Sequence, residues 1–239
     1  MNEQISRELA ENLAVFSSAQ AVAELSVYRL FAEEEELFGR YYKPGQSVLD
    51  LACGLGRTTL LLHEAGLKVR GVDRSEVFVN IARRRLPYLD FQLGSYDEIQ
   101  EQDASFDHVM ISFNGIDYAF PASQREKALR ECARVLKPGG TFIYSSHNLK
   151  SLHFYSPYYR RRLGWKCRNM LRAFHDAAYV LEDGAHAFYA SPRFVVRQTE
   201  ATGLRFVEMR GFARLRPNAL DCYFSPYVHY VFRKPGPEL

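Results

Sequence analysis

Short apolar runs alternate with amphipathic stretches through the middle of the chain. The apolar runs predict five strands, at 47–51, 68–73, 88–93, 106–113 and 141–146. Helical spacing between them, with Ser75 as a capping residue, predicts helices at 58–65, 75–85 and 123–136. Strands that alternate with helices in this way are typical of an α/β fold, in which helices cover both faces of a parallel sheet. Such sheets bind ligands at the carboxyl ends of their strands.

Both flanks depart from this alternation. Residues 1–43 carry apolar residues near helical spacing and predict an N-terminal helical cap, which Lys43-Pro44-Gly45 ends. Residues 149–190 do not follow the alternation, and we expect a helical insertion there. The remaining chain predicts a helix at 192–202 and an antiparallel pair of final strands at 204–211 and 226–233. Because the chain has no internal repeat and no low-complexity linker, we expect a single domain over residues 1–239.

The composition is that of a globular protein with a sizeable core. Of the 239 residues, 47% are hydrophobic and 25% are charged. The formal net charge of +3 does not favour nucleic acid as a partner. The four cysteines form no CxxC pair, so we expect neither a metal site nor a disulfide framework. The sequence shows no signal peptide and no apolar run of membrane-spanning length, which predicts a cytoplasmic enzyme.

The strongest local signal is a glycine-rich turn after the first strand. Gly54 and Gly56 lie between a strand and a helix, where glycine lets the backbone approach a ligand closely. Asp73 ends the next strand and is placed to accept hydrogen bonds from ribose hydroxyls. This spacing also fits a dinucleotide site, but Thr59 stands where that fingerprint has its third glycine. Asp50 would repel a pyrophosphate and suits a ligand with an ammonium or sulfonium group.

Four segments, in this order, resemble the motifs of the class I S-adenosylmethionine (SAM)-dependent methyltransferases. The first two motifs are matched by DLACGLGRTT and GVDRSE, and those of the fourth and fifth strands by FDHVMISFNGIDY and RVLKPGGTF. The resemblance covers about residues 45–147, with looser similarity at 192–234. It implies a Rossmann-like sheet of seven strands whose last strand is antiparallel. It also implies that SAM lies across the ends of the first, second and fourth strands.

Carried over by position, the resemblance implies a set of cofactor contacts. The methionine moiety would be held by Asp50, Ala52, Gly54 and Gly56, the ribose by Asp73, the adenine by Arg74, Ser95 and Tyr96, and the amino acid end by Phe113 and Asn114. Tyr28 would close over SAM or else pack in the core. As isolated residues, the two aspartates of this set would more often cap a helix or neutralise a lysine.

Two residues depart from the family pattern. Ala52 stands at the first glycine of the first motif, a mild change if its φ stays negative. Ser95 follows Gly94 where the family often has aspartate, and its hydroxyl can still form a hydrogen bond with adenine.

Methyl transfer from a sulfonium requires alignment of the acceptor and exclusion of water more than acid–base chemistry. A hydroxyl acceptor nevertheless gains from a general base. His147, at the end of the fifth strand, is the first candidate for a base or for a group that positions the acceptor. Its alternative role is to cap the strand or bond to the backbone. Asp117 and Tyr118, just after the fourth strand, are the second candidates.

The insertion is basic and aromatic. Residues 149–175 contain seven cations and six aromatic residues but no acid. The residues expected to bind the acceptor are Arg160, Arg161, Arg162, Arg168, Arg172 and Trp165. We expect a helical lid with an inward-facing arginine that meets a phosphate, a carboxylate or a nucleotide-linked sugar. The alternatives are a solvated basic surface, an RNA-binding surface and, less favoured, a helix on a membrane surface.

The sequence therefore predicts an enzyme that transfers a methyl group from SAM to an oxygen or nitrogen atom of a small molecule, with S-adenosylhomocysteine as product. An anionic compound, a sugar or a secondary metabolite would fit the basic insertion. An RNA methyltransferase is the alternative within the same chemistry. A SAM-binding partner protein without catalysis is the alternative outside it, and only turnover separates it from an enzyme.

Overall fold

The computed structural model of this chain describes residues 29–151, 176–182, 185–211 and 225–236, and the single residue Ala14. Within these ranges one sheet contains nine strands. The strands are β1 (Ser47–Leu51), β2 (Lys68–Asp73), β3 (Asp90–Leu93), β4 (Phe106–Ile111), β5 (Leu136–Asn148), β6 (Ala177–Glu182), β7 (Ala185–Ala190), β8 (Arg205–Gly211) and β9 (Tyr227–Arg233). The helices are α1 (Ala32–Tyr41), α2 (Arg57–Glu64), α3 (Glu76–Arg85), α4 (Ala122–Val135) and α5 (Pro192–Glu200), and a 3-10 turn covers Gly115–Tyr118.

Seven of the strands have the arrangement that the sequence predicts. Strands β3, β2, β1, β4 and β5 lie side by side in that order and pair in parallel. Strand β9 pairs antiparallel with the other edge of β5, and β8 pairs antiparallel with β9. The prediction of an α/β, Rossmann-like, mostly parallel sheet is therefore confirmed. Because β2 and β4 flank β1, the chain connections on its two sides run in opposite directions and open a crevice at its carboxyl end.

The fifth strand is longer than predicted. Phe106 of β4 pairs with Leu136, and His108 pairs with Thr141. The four residues 137–140, which lie between the predicted helix and the predicted strand, therefore stand opposite one residue of β4. They form an irregularity within β5, which absorbs the extra residues without ending the strand.

The prediction of a helical insertion over residues 149–190 is wrong for the end that the structure describes. Strands β6 and β7 occupy this end and pair antiparallel. Strand β7 also pairs in parallel with the last residues of β5, so that His147 lies opposite Tyr189. Because β4 ends at Ile111, β7 continues that edge of β5 and satisfies backbone groups beyond it. This pairing outweighs the helix propensity of the alanines in the segment.

Apolar side chains cover both faces of the sheet. Helices α4 and α5 pack on one face, where Leu49 belongs to the largest core cluster. Helices α1 and α2 contribute Leu37 and Leu62 to a second cluster around Val48, on the other face. Successive strand residues point to opposite faces, so a strand that is buried on both sides has an unbroken apolar sequence. The apolar runs were informative for this reason.

The helix boundaries have local causes that the sequence contains. Ser75 caps α3 as predicted, because its Oγ accepts a hydrogen bond from the Phe78 N–H at 3.3 Å. Helix α1 is the described part of the predicted N-terminal cap. No helix in the described ranges is both long enough and apolar enough to cross a membrane.

Candidate functional site

A pocket opens at the carboxyl ends of β1, β2 and β4, in the crevice between oppositely running connections. Its lining includes, in chain order, Ala52, Gly54, Arg57, Asp73, Arg74, Tyr96, Ser112, Phe113 and Tyr118. Six of these residues belong to the predicted cofactor set, and Tyr118 to the predicted catalytic set. The sheet therefore brings together residues that are up to 66 positions apart in the sequence.

Ala52 adopts a backbone conformation that the sequence did not predict. Its φ is +53°, in the left-handed region, so the condition under which alanine would be a mild change here, a negative φ, is not met. This conformation costs an L-residue on the order of 1–2 kcal/mol. Ala52 therefore keeps the backbone path of the glycine that it replaces, and the strain lies on the pocket wall.

The two glycines of the turn serve different purposes. Gly54 lines the pocket with φ +56°, and a Cβ at this position would have no atom within 4 Å. Gly56 begins α2 with φ +82°, and a Cβ there would lie 2.5 Å from Cζ of the buried Phe91. Gly54 therefore keeps the wall open, whereas Gly56 lets the helix pack closely against β3.

Gly56→Ala is expected to destabilise the fold by about 1–3 kcal/mol more than Gly54→Ala. Both variants force alanine into the left-handed region, but only Gly56→Ala also overpacks the core against Phe91. Urea unfolding of the two variants measures the difference directly. Equal midpoints would show that the chain relaxes around Phe91 and that close packing does not explain this glycine.

Asp73 organises the turn while it remains on the pocket wall. Its Oδ2 accepts a hydrogen bond from the Gly54 N–H and its Oδ1 one from the Ser75 N–H, each at 2.8 Å. Burial raises the pKa of Asp73 above its ordinary value, although these two donors act in the opposite direction. Each carboxylate oxygen has a further lone pair, so the group can accept additional hydrogen bonds from a ligand.

Of the residues just after β3, Gly94 and Tyr96 lie on the pocket wall, whereas Ser95 does not. Tyr96 lines the pocket, and burial raises the pKa of its hydroxyl to about 12. Ser95, also predicted to contact a cofactor, is not among the lining residues; its hydroxyl donates to Asp97 instead. Gly94 is the residue of this segment that lies beside Tyr96 on the wall.

Asp50 lies behind the pocket. It is fully buried, and its Oδ2 accepts hydrogen bonds from Thr58 Oγ1 at 2.6 Å and Thr59 Oγ1 at 2.7 Å. Its Oδ1 has no hydrogen-bond donor among the described residues. Burial raises the pKa of Asp50 to about 6, despite the two hydroxyl donors. Thr59, which replaces the third glycine of a dinucleotide fingerprint, thus holds this carboxylate.

The segment after β4 has two consecutive residues in the left-handed region. Phe113 has φ +53° and Asn114 has φ +58°. The ring of Phe113 is half exposed at the pocket and stacks on Phe31, with centroids 5.7 Å apart. Asn114 points the other way and is buried, with its backbone N–H donating to Ser145 Oγ at 2.8 Å. The strained turn thus places one side chain on the wall and the other beneath it.

His147 and Asp117, two of the predicted catalytic residues, form a buried pair. His147 Nδ1 lies 2.9 Å from Asp117 Oδ2, which also accepts the backbone N–H of His147 at 2.6 Å. On the other side of the ring, Nε2 lies 3.4 Å from Asn114 Nδ2. An ionised carboxylate only accepts hydrogen bonds, so in a neutral ring Nδ1 carries the proton and Nε2 presents a lone pair. The ring packs edge-on against Tyr118 of the pocket wall, with centroids 6.1 Å apart.

Sequence reasoning missed a buried ion pair beside the pocket. The Arg57 guanidinium, which lines the pocket, donates to Glu34 Oε2 at 2.7 Å and Oε1 at 2.9 Å, and to Ser112 Oγ at 2.5 Å. Glu34 Oε2 also accepts the Phe31 N–H at the start of α1. This contact is half of a capping box, and Phe31 has no side-chain oxygen to form the other half. The sequence therefore held no local signal that distinguishes Glu34 from its acidic neighbours.

Several predicted site residues lie outside the described ranges. They are Tyr28, Arg160, Arg161, Arg162, Trp165, Arg168 and Arg172. Within the described ranges, no group of three or more His, Cys, Asp or Glu residues is placed to hold a metal ion.

The middle of the chain matches a known family and known relatives. Residues 48–140 match the family model described as a methyltransferase domain. A probable SAM-dependent methyltransferase of Mycolicibacterium smegmatis is 30% identical over 159 residues, 59% of this chain and 60% of the relative. A ubiquinone/menaquinone biosynthesis C-methyltransferase of Rubrivivax gelatinosus is 40% identical over 100 residues, 41% of this chain and 38% of the relative. The chain thus spans between 38% and 60% of the length of these two relatives.

The fold also has a counterpart among solved structures. The 1,6-didemethyltoxoflavin-N1-methyltransferase of Burkholderia thailandensis, solved with 1,6-didemethyltoxoflavin and S-adenosylhomocysteine, aligns with a TM-score of 0.68. The alignment covers 98% of this chain and 91% of that one at 15% identity. At this identity the likeness concerns the fold alone.

Proposed function

Because this chain belongs to the class I SAM-dependent methyltransferases, we propose that it transfers the methyl group of SAM to an oxygen or nitrogen atom of a small molecule. The observation that carries the proposal is the buried His147–Asp117 pair beside Tyr118 of the pocket wall. A histidine whose ring is held by a carboxylate, with its second nitrogen free of a proton, is suited to remove a proton from a hydroxyl or N–H group.

The pocket residues fit SAM, which supplies the activated methyl group in this family. In our proposal the ribose hydroxyls bind Asp73, the adenine lies between Arg74 and Tyr96, and the methionine part borders Ala52, Gly54 and Phe113. The space beside Gly54 supports this arrangement, because no atom lies within 4 Å of a Cβ built there. We assign Asp50 and Gly56 to the support of the turn from behind, and Ser95 to the support of the wall through Asp97.

The proposed reaction needs one proton acceptor. With SAM bound, the methyl group would pass from its sulfur to the acceptor atom, and His147 Nε2 would take the proton that the acceptor releases. Asp117 stabilises the resulting positive ring through Nδ1–H. Asn114 Nδ2, which lies 3.4 Å from Nε2, would hold the ring from its other side.

The aromatic side chains at this end of the pocket favour a flat small molecule over RNA as acceptor. Phe113 and Tyr118 line the wall, and Phe113 leaves about half of its ring exposed. Aromatic rings of this kind bury planar groups well. We further propose that the arginines predicted at 160–172 bind an anionic group of the acceptor, and that the whole chain forms one methyltransferase domain around this site.

Methylation of a carbon atom is the second candidate. It is favoured by the similarity to a C-methyltransferase of quinone biosynthesis, whose matched region is 40% identical. The same histidine would serve a phenol-like acceptor in either reaction, because removal of the hydroxyl proton activates both the oxygen and the ring carbons beside it. Mass spectrometry of the product decides between them, since only an O-methyl group is lost on ether cleavage.

Asp73→Asn is expected to weaken binding of S-adenosylhomocysteine about 10- to 100-fold, or about 1.5–3 kcal/mol. The change removes the charge that two ribose hydroxyls would share and disturbs the Gly54 N–H contact. Isothermal titration calorimetry measures the affinity, and Asp90→Asn, at the exposed start of β3, is the matched control. Unchanged affinity in Asp73→Asn would contradict the ribose assignment, and tight NAD binding without SAM binding would contradict the cofactor itself.

Turnover tests the enzymatic part of the proposal. The purified protein is incubated with SAM that carries a deuterated methyl group and with either a small-molecule extract or total RNA, and the labelled product is identified by mass spectrometry. We expect the label in a small molecule with a hydroxyl or N–H group. Label in RNA would support the RNA alternative, and SAM binding without label in either fraction would support a non-catalytic partner protein.

A further inference from the structure

Arg125 is a fully buried cation that no part of the proposed reaction yet uses. It lies on α4, and its Nη1 donates to Asp117 Oδ1 at 2.7 Å. Its Nε donates to Gln198 Oε1 of α5 at 3.1 Å. Its guanidinium carbon lies 4.4 Å from the ring centre of Phe188 in β7. Three surrounding elements thus hold this one side chain in place.

The hydrogen bonds around Asp117 favour an ionised carboxyl. Oδ1 accepts from Arg125 Nη1 and from Ser146 Oγ, and Oδ2 accepts from the backbone N–H and from Nδ1 of His147. An arginine and a backbone N–H can only donate, so a protonated carboxyl would fit this set poorly. Asp117 is fully buried, and a buried charge needs a counter-charge. Arg125 supplies it, and it is the one arginine or lysine paired with Asp117 in the described ranges.

We infer that Arg125 is a positioning residue that fixes the tautomer of His147 through Asp117. This inference rests on the proposed role of His147 as proton acceptor. With Arg125 in place, the ionised Asp117 holds the proton of the ring on Nδ1, and Nε2 faces Asn114 with its lone pair. Without Arg125, the buried carboxylate lacks its counter-charge, and the neutral carboxyl that this loss favours is a weaker hydrogen-bond acceptor. The proton of the neutral ring then moves in part to Nε2, which can no longer receive one from an acceptor.

The tautomer can be measured without knowledge of the acceptor. Nitrogen-15 NMR of histidine-labelled protein distinguishes the two ring nitrogens, and the His147→Gln variant identifies the signals of this ring. Wild-type protein should show the Nδ1–H form. Arg125→Met should lower the ratio of Nδ1–H to Nε2–H about tenfold or more, because a charge-assisted hydrogen bond is replaced by a neutral one. Arg125→Lys, which keeps the charge, should stay close to wild type.

Arg130→Met is the matched control, because Arg130 is an exposed arginine on the same helix. It should leave the tautomer and turnover unchanged, whereas Arg125→Met should lower kcat about tenfold or more without a change in SAM affinity. A folded Arg125→Met protein with the wild-type tautomer would overturn the inference. If this variant does not fold, Arg125→Gln takes its place, and an Nε2–H ring in the wild type itself would overturn the inference equally.

The two proposals fail in different ways. If His147→Gln keeps full turnover, the proposed base is wrong whatever the tautomer shows. If His147→Gln is inactive but the tautomer of His147 in Arg125→Met is that of the wild type, His147 remains the proposed base and only the inferred role of Arg125 is wrong.

Discussion

Replacement of His147 with alanine is expected to lower turnover by about 10²- to 10⁴-fold, the usual contribution of a general base. The affinity for SAM should change little, because His147 does not line the pocket wall that holds the predicted cofactor contacts. The ring instead lies between Asp117, Asn114 and Tyr118, at the end where an acceptor would meet the methyl group. A large loss in kcat with unchanged SAM affinity is therefore the expected signature.

The measurement is steady-state turnover on the acceptor identified by isotope labelling, together with calorimetric binding of S-adenosylhomocysteine. His63→Ala is the control, since His63 is an exposed histidine on α2. The turnover of Asp117→Asn should lie between those of His147→Ala and wild type, because the His147 ring remains but loses the carboxylate that orients it. Full activity of folded His147→Ala would mean that alignment alone carries the reaction and that no base is used.

The sequence predicted the parallel part of the sheet well because its strands are buried on both faces. The predicted bounds of β1 and β2 agree with the structure, in which β1 is buried from residue 48 to 51 and β2 from residue 71 to 73. Strands β6 and β7 were missed for the opposite reason. Their pattern is short and rich in alanine, and β7 is fixed by pairing with β5 about 40 residues earlier in the chain. A contact at that distance leaves no local signal in one sequence.

The family prediction is confirmed by the match of residues 48–140 to a methyltransferase-domain model. The motifs lie on backbone that the sheet places at one edge. Gly54 and Asp73 could be assigned to the pocket from their place after β1 and β2. The side chains that support the pocket wall from behind could not be assigned from the sequence. Arg125 meets Asp117 only because α4 folds back over the sheet, and Thr59 meets Asp50 only because α2 begins beneath the turn. Such contacts depend on tertiary packing, which periodicity and motif spacing do not describe.

Arg57→Met is expected to destabilise the fold by about 3–5 kcal/mol, because it leaves Glu34 as a buried carboxylate without its counter-charge. Glu34 is 1% exposed, and both of its oxygens accept from the Arg57 guanidinium. The pair joins α1 to the start of α2 beside the pocket. Its loss should also remove the hydrogen bond from Arg57 to Ser112 Oγ in the pocket wall. Arg70→Met, which breaks half-exposed ion pairs with Asp90 and Glu101, should cost less than about 1 kcal/mol.

The pH dependence of the stability lost in Arg57→Met distinguishes the loss of an ion pair from the loss of packing. Burial alone would raise the pKa of Glu34, but the hydrogen bonds and charge of Arg57 outweigh it and lower the pKa below its ordinary value. In the wild type this pair therefore adds stability above about pH 4.3, the usual unfolded pKa of glutamate, and the stability is lost as pH falls through the folded value. In Arg57→Met the unpaired carboxyl has a raised pKa, so its folded state loses stability as pH rises. The difference in the free energy of unfolding between wild type and Arg57→Met, measured with urea, should thus be largest near pH 7 and smaller at pH 4. The Glu34→Gln/Arg57→Met double variant should recover about 1–3 kcal/mol of the lost stability at pH 7. If the difference in the free energy of unfolding does not vary with pH, the effect comes from the lost contact of the guanidinium with the Phe31 ring, 5.0 Å from its centre, and not from the ion pair with Glu34.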